Sequence, residues 1–270
     1  MTQTPDIPQL QQLLISAARE ELIPRFTQVQ RHDKADGSFI TEADLAMQQR
    51  IQGALQQQWP DYAFLGEEMA ESEQLARLQN SSQPLWCLDP LDGTSNFAAH
   101  IPFFSVSLAL IVKGEVVLGI IYDPMRDECF SAVKGQGAKL NGQPLGLQQL
   151  HSPLAKATAL VDLKRLPAAL QTRLIQQQPY SSQRSFGSVA LDWCWIAAGR
   201  CHLYLHGKQR LWDYAAGQLI LHESGGQSCT LDGEPVFQAS IEGRSAVATL
   251  SAPLFDEWTN WLGINRPDLE

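Results

Sequence analysis

The stretch WCLDPLDGTSNF, residues 86 to 97, sets Asp89 and Asp92 three positions apart inside an apolar frame, with a proline between them and Gly93-Thr94 behind. Pro90 cannot continue a helix, so the two carboxylates are not neighbours on a helical face. The alternative is a strand whose end turns sharply and delivers both acids to an edge, where binding sites form. Upstream, Gly66-Glu67-Glu68 follows another short apolar run, and downstream Trp212-Asp213 introduces an apolar helical segment. Acids from separate segments are thereby candidates for one pocket.

Carboxylates that share a pocket repel one another, and some must take up a proton unless a cation relieves them. A hard divalent ion such as Mg²⁺ prefers oxygen ligands and keeps waters that can be activated. The backbone N–H groups of Gly93, Thr94 and Ser95, if they open a helix, form an anion site without a basic side chain. Acids for a metal beside amides for an anion imply metal-assisted phosphoryl transfer. Each piece also has a plainer reading: DxxDGT as a surface turn, Asp213 as an N-cap, Asp44 as the acid of a capping box, and Glu67-Glu68 as a solvated pair. Their joint occurrence favours the site.

Two other phosphatase patterns do not fit. LDGT is shared with the haloacid dehalogenase signature D-x-D-G-T, but Pro90 stands where that nucleophilic aspartate would be. Cys194 to Arg200 matches the C-x5-R count of tyrosine phosphatases, yet Trp195, Ile196, Ala197 and Ala198 continue a buried helix rather than a loop of exposed amides.

The surroundings of the acids read as alternating helix and sheet. Leu10, Leu13, Leu14, Ala17, Ala18 and Leu22 recur at helical spacing up to Pro24, and Thr41 with Asp44 is a capping-box signature opening a second helix through Met47, Ile51, Ala54 and Leu55. Strands are expected in YAFLG, PLWCLD, FFSVSLALIVKGEVVLGIIYDP and ECFSAVKGQGAKLNGQPL, with turns at Lys113-Gly114 and Asn141-Gly142. A seam at 148–153 divides an α+β half, about 1–150, from an α/β half, about 151–270, within one domain. The second half should hold a strand in TALVD, a helix near Leu166 to Gln177, a helix in SVALDWCWIAAG, a strand in CHLYLH, a helix in AAGQLILHESGG and a strand near AVATL.

Composition narrows the class. A net charge of −9 opposes sequence-independent nucleic-acid binding, which needs a basic face. The apolar run FFSVSLALIV is about half of a membrane span. Five scattered cysteines without CxxC pairs suit reduced thiols better than disulfides or zinc. The start, MTQTPDIPQL, has no basic and apolar signal pattern. A cytoplasmic protein without membrane or nucleic-acid partners is expected.

With these motifs in hand, the sequence resembles the inositol monophosphatase family, lithium-sensitive metal-dependent phosphomonoesterases. GEE (66–68), WCLDPLDGTSNF (86–97) and LWDYAAGQLILHESGG (211–226) match its three signature segments in order, and KADGSFITEAD (34–44) and RSFGSVALD (184–192) match flanking ones. The resemblance implies a five-layer αβαβα sandwich of the inositol monophosphatase and fructose-1,6-bisphosphatase type, usually a homodimer. It assigns metal ligation to Glu67, Asp89, the Leu91 carbonyl, Asp92 and Asp213, with about two to three Mg²⁺ per site. Asp44 and Thr94 match the pair orienting the attacking water, with Glu67 beside them. Asp92, Gly93, Thr94, Ser95, Gly187, Ser188, His206 and Asp213 fall on the phosphate and substrate side.

The mechanism so implied is in-line attack on phosphorus by a metal-activated water, with no phosphoenzyme. In inositol-specific members a glutamate seven residues before the third-segment aspartate contacts the ring; here that position is His206. Phe39 and Ile40 stand where many relatives have proline and valine. An inositol-1-phosphate-like substrate is expected, with histidinol phosphate, a sugar (bis)phosphate or 3′-phosphoadenosine 5′-phosphate left open. His206 also fits an ordinary strand-end histidine. An interaction protein on the same fold is the non-enzyme alternative, which the intact acids and Thr94 disfavour.

Overall fold

Period-2 alternation along the central strands separates three hydrophobic layers, and those layers define the architecture. In the computed structural model, residues 5–26, 32–33, 39–79, 83–146 and 152–265 are described. The seam residues Gln148, Gln149, Leu150 and His151, and Lys34 to Ser38 of the KADGS motif, lie outside them.

The first half begins with α1 (Ile7–Glu21), α2 (Ile23–Phe26), the short strands β1 (His32–Asp33) and β2 (Phe39–Ile40), and α3 (Glu42–Gln58). It continues with β3 (Ala63–Gly66), α4 (Glu71–Gln79), β4 (Leu85–Asp92), α5 (Thr94–Ala98), β5 (Ser105–Val112), β6 (Glu115–Asp123), β7 (Glu128–Val133), β8 (Ala138–Leu140) and β9 (Gln143–Pro144). Strands β3 to β9 form one sheet in sequence order, antiparallel except for the parallel pair β3–β4. The hairpin turns carry positive φ at both central residues, 52° and 77° at Lys113-Gly114 and 48° and 80° at Asn141-Gly142, as tight two-residue connections demand.

The second half contains β10 (Thr158–Asp162), α6 (Ala168–Gln176), β11 (Ser182–Arg184), α7 (Val189–Ala197), β12 (Leu203–Gln209), α8 (Leu211–Glu223), β13 (Gln227–Cys229), β14 (Arg244–Thr249) and α9 (Ala252–Leu262). Its sheet runs β11-β10-β12-β14-β13, with β10 parallel to both β11 and β12.

On β4, Trp86 and Leu88 pack with Leu10, Leu14, Met47 and Ile51 of α1 and α3, while Leu85 and Cys87 face the opposite layer with α7 and α8. Tyr204, Ala246 and Ala248 of the second sheet join that middle layer, and Leu203, Leu205 and Val247 point away toward Leu174, Phe255 and Trp258 of α6 and α9. The order is helix, sheet, helix, sheet, helix: the expected five-layer sandwich. Helix α8, held between two sheets, is apolar nearly all round. It lies close to β6, where a Cβ on Gly119 would stand 2.9 Å from the Ala216 Cα.

The sequence expectations omit α4, α9, β11 and β13 and the short β1 and β2, and Pro24, expected to end the first helix, lies instead within α2 after α1 stops at Glu21. Helix α4 buries only Gln74, so it has no apolar stripe to read. Helix α9 does carry signals: Pro253 in its first turn and Gly263 at its end, in the left-handed conformation.

Candidate active site

The pairing of β4 with β5 runs in register to Asp89↔Ser107, resumes at Asp92↔Ser105, and is broken in between. Pro90 lies in that break, where a residue without an N–H costs least. The irregularity turns the chain so that Asp89, Leu91 and Asp92 all sit buried at the strand end. Gly93 then adopts φ 96° and starts α5; a Cβ there would meet the Phe103 carbonyl oxygen at 3.1 Å and that of Gly187 at 3.3 Å.

Helix α3 supplies the next groups. Its capping box is formed as expected: the Thr41 amide and hydroxyl donate to Asp44 Oδ2 at 2.7 and 2.6 Å. Asp44 Oδ1 then accepts from the Thr94 hydroxyl at 3.2 Å, and the same hydroxyl lies 2.9 Å from the Leu91 carbonyl oxygen. The capping acid is therefore also the hydrogen-bond partner of Thr94.

One turn along α3, Gln48 Oε1 accepts from the Glu68 amide at 3.1 Å. Gln74, the buried residue of α4, donates to the carbonyls of Gly66 and Glu67 at 2.9 and 3.0 Å. The Glu67 amide itself donates to the Leu88 carbonyl at 3.1 Å. Three elements thus pin the turn that carries Glu67, which is half-buried rather than part of a solvated pair.

Asp213 occupies the first turn of α8, and its Oδ2 accepts from the Arg210 amide at 2.8 Å. Asp213 is the third helical residue and accepts from the amide of Arg210, which rather than Asp213 stands at the N-cap. Ser107 Oγ, on β5, ties this helix start to the first sheet through the Trp212 carbonyl at 3.1 Å.

The electrostatics show that the acids share a neighbourhood. Burial, then the charges of Glu67, Asp92 and Asp213, hold the Asp89 carboxyl well above the usual carboxylate range. Asp213 is pushed well up by desolvation and then by Asp92 and Glu67. Burial raises Asp92 too, against the hydrogen bonds it receives. Asp89 Oδ1 accepts from the Leu91 amide at 3.0 Å.

Asp92 has a different set of partners from the other acids. Its Oδ1 accepts from the Val189 amide at 3.1 Å, and its Oδ2 from Ser188 Oγ at 2.5 Å and the Ala190 amide at 2.8 Å. It therefore caps the N-terminus of α7 from the other half of the chain. Ser188, expected on the substrate side, is wholly buried and bonded to Asp92, while Gly187 beside it is exposed. Asn96 Nδ2 joins the two loops by donating to the carbonyls of Phe103 and Phe186 at 2.8 and 2.6 Å. Ser95 is exposed, and Gly93 and Thr94 are partly so.

His206 departs from its expected role as a substrate contact. It is 2% exposed, its Nε2 lies 3.2 Å from Asp162 Oδ2, and its Nδ1 accepts from the Lys208 amide at 3.2 Å. Both ring nitrogens are engaged within the protein, which is the strand-end reading. Sequence reasoning missed Asp162, whose only signal is its place opposite His206 across β10 and β12, a pairing unknown before the fold. Cys194 is buried within α7, and burial pushes its thiol well up, so the C-x5-R match is a helix without a nucleophile. All five cysteines are buried, and among the described residues no helix is long and apolar enough to cross a membrane.

Glu67, Asp89, Asp213 and the Leu91 carbonyl form an all-oxygen donor set whose charges disfavour one another, and a hard divalent cation fits that chemistry. As they stand, no three His, Cys, Asp or Glu side chains among the described residues form an ion cage. Asp89 and Asp213 each spend one carboxylate oxygen on a neighbouring amide. Asp92, with both oxygens taken at α7, is the least available of the expected ligands.

Residues 6–258 match the model of the inositol monophosphatase family. The chain is 36% identical over 206 residues to Nus factor SuhB of Pasteurella multocida, covering 74% of each. It is 36% identical over 200 residues to inositol monophosphatase 1 of Solanum lycopersicum, covering 72% of each. The crystal structure of the extragenic suppressor protein suhB from Bartonella henselae superposes with a TM-score of 0.82 at 30% identity, over 93% of this chain and 95% of that one.

Proposed function

Because this chain belongs to the inositol monophosphatase family, we propose that it is a Mg²⁺-dependent phosphomonoesterase releasing phosphate from a small phosphorylated alcohol. The observation that carries the reading is the junction of Thr94, Asp44 and the Leu91 carbonyl beside the mutually repelling acids Asp89, Asp213 and Glu67.

Glu67, Asp89, Asp213 and the Leu91 carbonyl would hold the metal, with Asp92 joining only by giving up donors of α7. When bound, Mg²⁺ neutralises the acids, lowers the pKa of a water and stabilises the oxygen that leaves. The chain's own residues do the orienting. Asp44, fixed through Oδ2 by the Thr41 amide and hydroxyl, offers Oδ1 as the acceptor for the Thr94 hydroxyl proton. Thr94 Oγ can then accept a proton from a water while its own proton passes to Asp44 Oδ1, a general-base arrangement. The first-turn amides of α5 face the same end and suit a phosphate. The lithium sensitivity and homodimer of the resemblance belong to the same proposal.

An inositol-1-phosphate-like substrate is the reading carried from the sequence. The test is phosphate release by a colorimetric assay from inositol 1-phosphate, histidinol phosphate, fructose 1,6-bisphosphate and 3′-phosphoadenosine 5′-phosphate, with Mg²⁺ and then with EDTA. Release that stops on chelation supports the enzyme; no release from any of them opposes it. The relatives named Nus factor carry a second reading, an interaction protein on the same fold, and that result would favour it.

A further inference from the structure

Helices α3 and α4 and the edge strand β3 enclose a cavity of about 330 Å³, within the range of small-molecule sites. Its wall includes Gln52 and Gln56 of α3, Asp61, Tyr62 and Phe64 on the way into and along β3, and Arg77 of α4. Arg77 and Asp61 bring opposite charges to it; both are exposed, and among the described residues neither has an ion-pair partner. The Tyr62 ring is backed by Trp86 and Trp59, at centroid distances of 5.9 and 6.5 Å, so the aromatic part of the wall is firmly placed.

The three elements around the cavity are the ones that hold the Glu67 turn. Gln48, Gln52 and Gln56 recur every four residues along α3 and share one face. Gln48 accepts from the Glu68 amide at 3.1 Å, and the next two line the cavity. On α4, Arg77 lies three residues after Gln74, its neighbour on the helix surface. Gln74 donates to the Gly66 and Glu67 carbonyls at 2.9 and 3.0 Å, and Gly66 ends β3. Because α4 fully buries no side chain but Gln74, it is lightly anchored, and a new contact at Arg77 bears on the residue that pins Glu67.

We propose that this cavity binds a free α-amino acid, and that its occupancy fixes α4 and tightens the hold of the Glu67 turn on a divalent cation. Arg77 takes the α-carboxylate through its planar fork, Asp61 takes the α-ammonium, and the side chain lies against Tyr62 and Phe64. A zwitterion answers both charges of the wall. A phosphate would meet Asp61, and a neutral polyol would leave both charges unanswered. The coupling is reciprocal, so the metal raises the affinity for the amino acid by the same factor. The effect on the metal rests on the metal-dependent reading of the acid site; the binding does not.

The test is isothermal titration of L-leucine, L-phenylalanine and L-glutamine, with myo-inositol and AMP beside them, into the wild type, Arg77→Ala and Asp61→Asn. At least one amino acid should saturate the wild type with a Kd of about 1 mM or tighter. Its N-acetyl and amide derivatives, each lacking one charge, should bind about tenfold more weakly or worse, as should the amino acid itself to either variant. Both variants change exposed side chains, so either serves if the other does not fold. Saturating amino acid should then tighten Mg²⁺ binding to the wild type about fivefold or more, and not to Arg77→Ala. No binding by any amino acid, saturation by myo-inositol or AMP instead, or binding that neither the derivatives nor the variants weaken overturns the site. Amino-acid binding that leaves the Mg²⁺ affinity of the wild type unchanged overturns the coupling. A wild type that binds the amino acid but no Mg²⁺ overturns the metal reading and the coupling while upholding the site.

Discussion

The acid edge and the basic crossing at the ends of β10 and β12, where Asp162 lies opposite His206, stand on either side of the start of α8, and they solve their charge problems differently. At the acid edge, Asp89 and Asp213 are turned onto neighbouring amides, and their remaining charge is opposed by Glu67 and Asp92. At the crossing, Asp162 is paired with His206 and Arg165, and the cations left over, Lys164 and Lys208, face solvent. The first region is unbalanced until something cationic arrives; the second is balanced inside and offers positive charge outside. The contrast separates acids whose charge is left unresolved from an acid whose charge is resolved within the protein.

Asp89→Asn should break the acid edge most severely. Turnover in Mg²⁺ should fall about a thousandfold or more. The thermal midpoint should hold, because the amide has no charge to bury; near-normal turnover in excess Mg²⁺ would remove Asp89 from the site.

Thr94→Ala should come next, with kcat reduced about a hundredfold to ten-thousandfold and KM little changed. A loss confined to KM would make Thr94 a binding group instead. Ser188→Ala tests the seam between the halves. It removes a hydrogen bond to a buried carboxylate and the cap of α7, and denaturant unfolding should show a loss of about 1–3 kcal/mol. An unchanged midpoint would mean that Asp92 holds α7 through the amides of Val189 and Ala190 alone.

The smallest effect belongs to two buried histidines, His206 at the crossing and His222 in the last turn of α8. Burial lowers the pKa of His206, and likewise of His222, below its ordinary value, so between the unfolded and folded values the unfolded chain binds more protons. Stability should therefore decline as pH falls from about 6.5 toward the lower folded values. Replacing both histidines by glutamine should flatten that slope in pH-dependent melting; an unaltered slope would place the titration elsewhere.

The acid edge was the more legible region because its parts are local. Asp89, Pro90, Asp92 and Gly93 lie within a few residues, and the Thr41–Asp44 capping box is read directly from spacing. What the motif could not show is that Asp92 caps a helix from the other half, since its partners Ser188, Val189 and Ala190 are nearly a hundred positions away. The crossing was illegible for the same reason. Counting back from Asp213 finds His206, but only the β10–β12 pairing shows Asp162 beside it and Arg165 above Gly207. Helix α4 shows a further limit: Gln74 positions the Glu67 turn, yet a lone buried glutamine leaves no periodic trace.

The central claim is that the acids around Asp89 form a divalent-cation site. Isothermal titration of Mg²⁺ into the wild-type protein and into Asp89→Asn tests it most directly. Saturable binding by the wild type that is lost or strongly weakened in Asp89→Asn is the expected result. Absence of binding by the wild type, or equal binding by the two proteins, would contradict it.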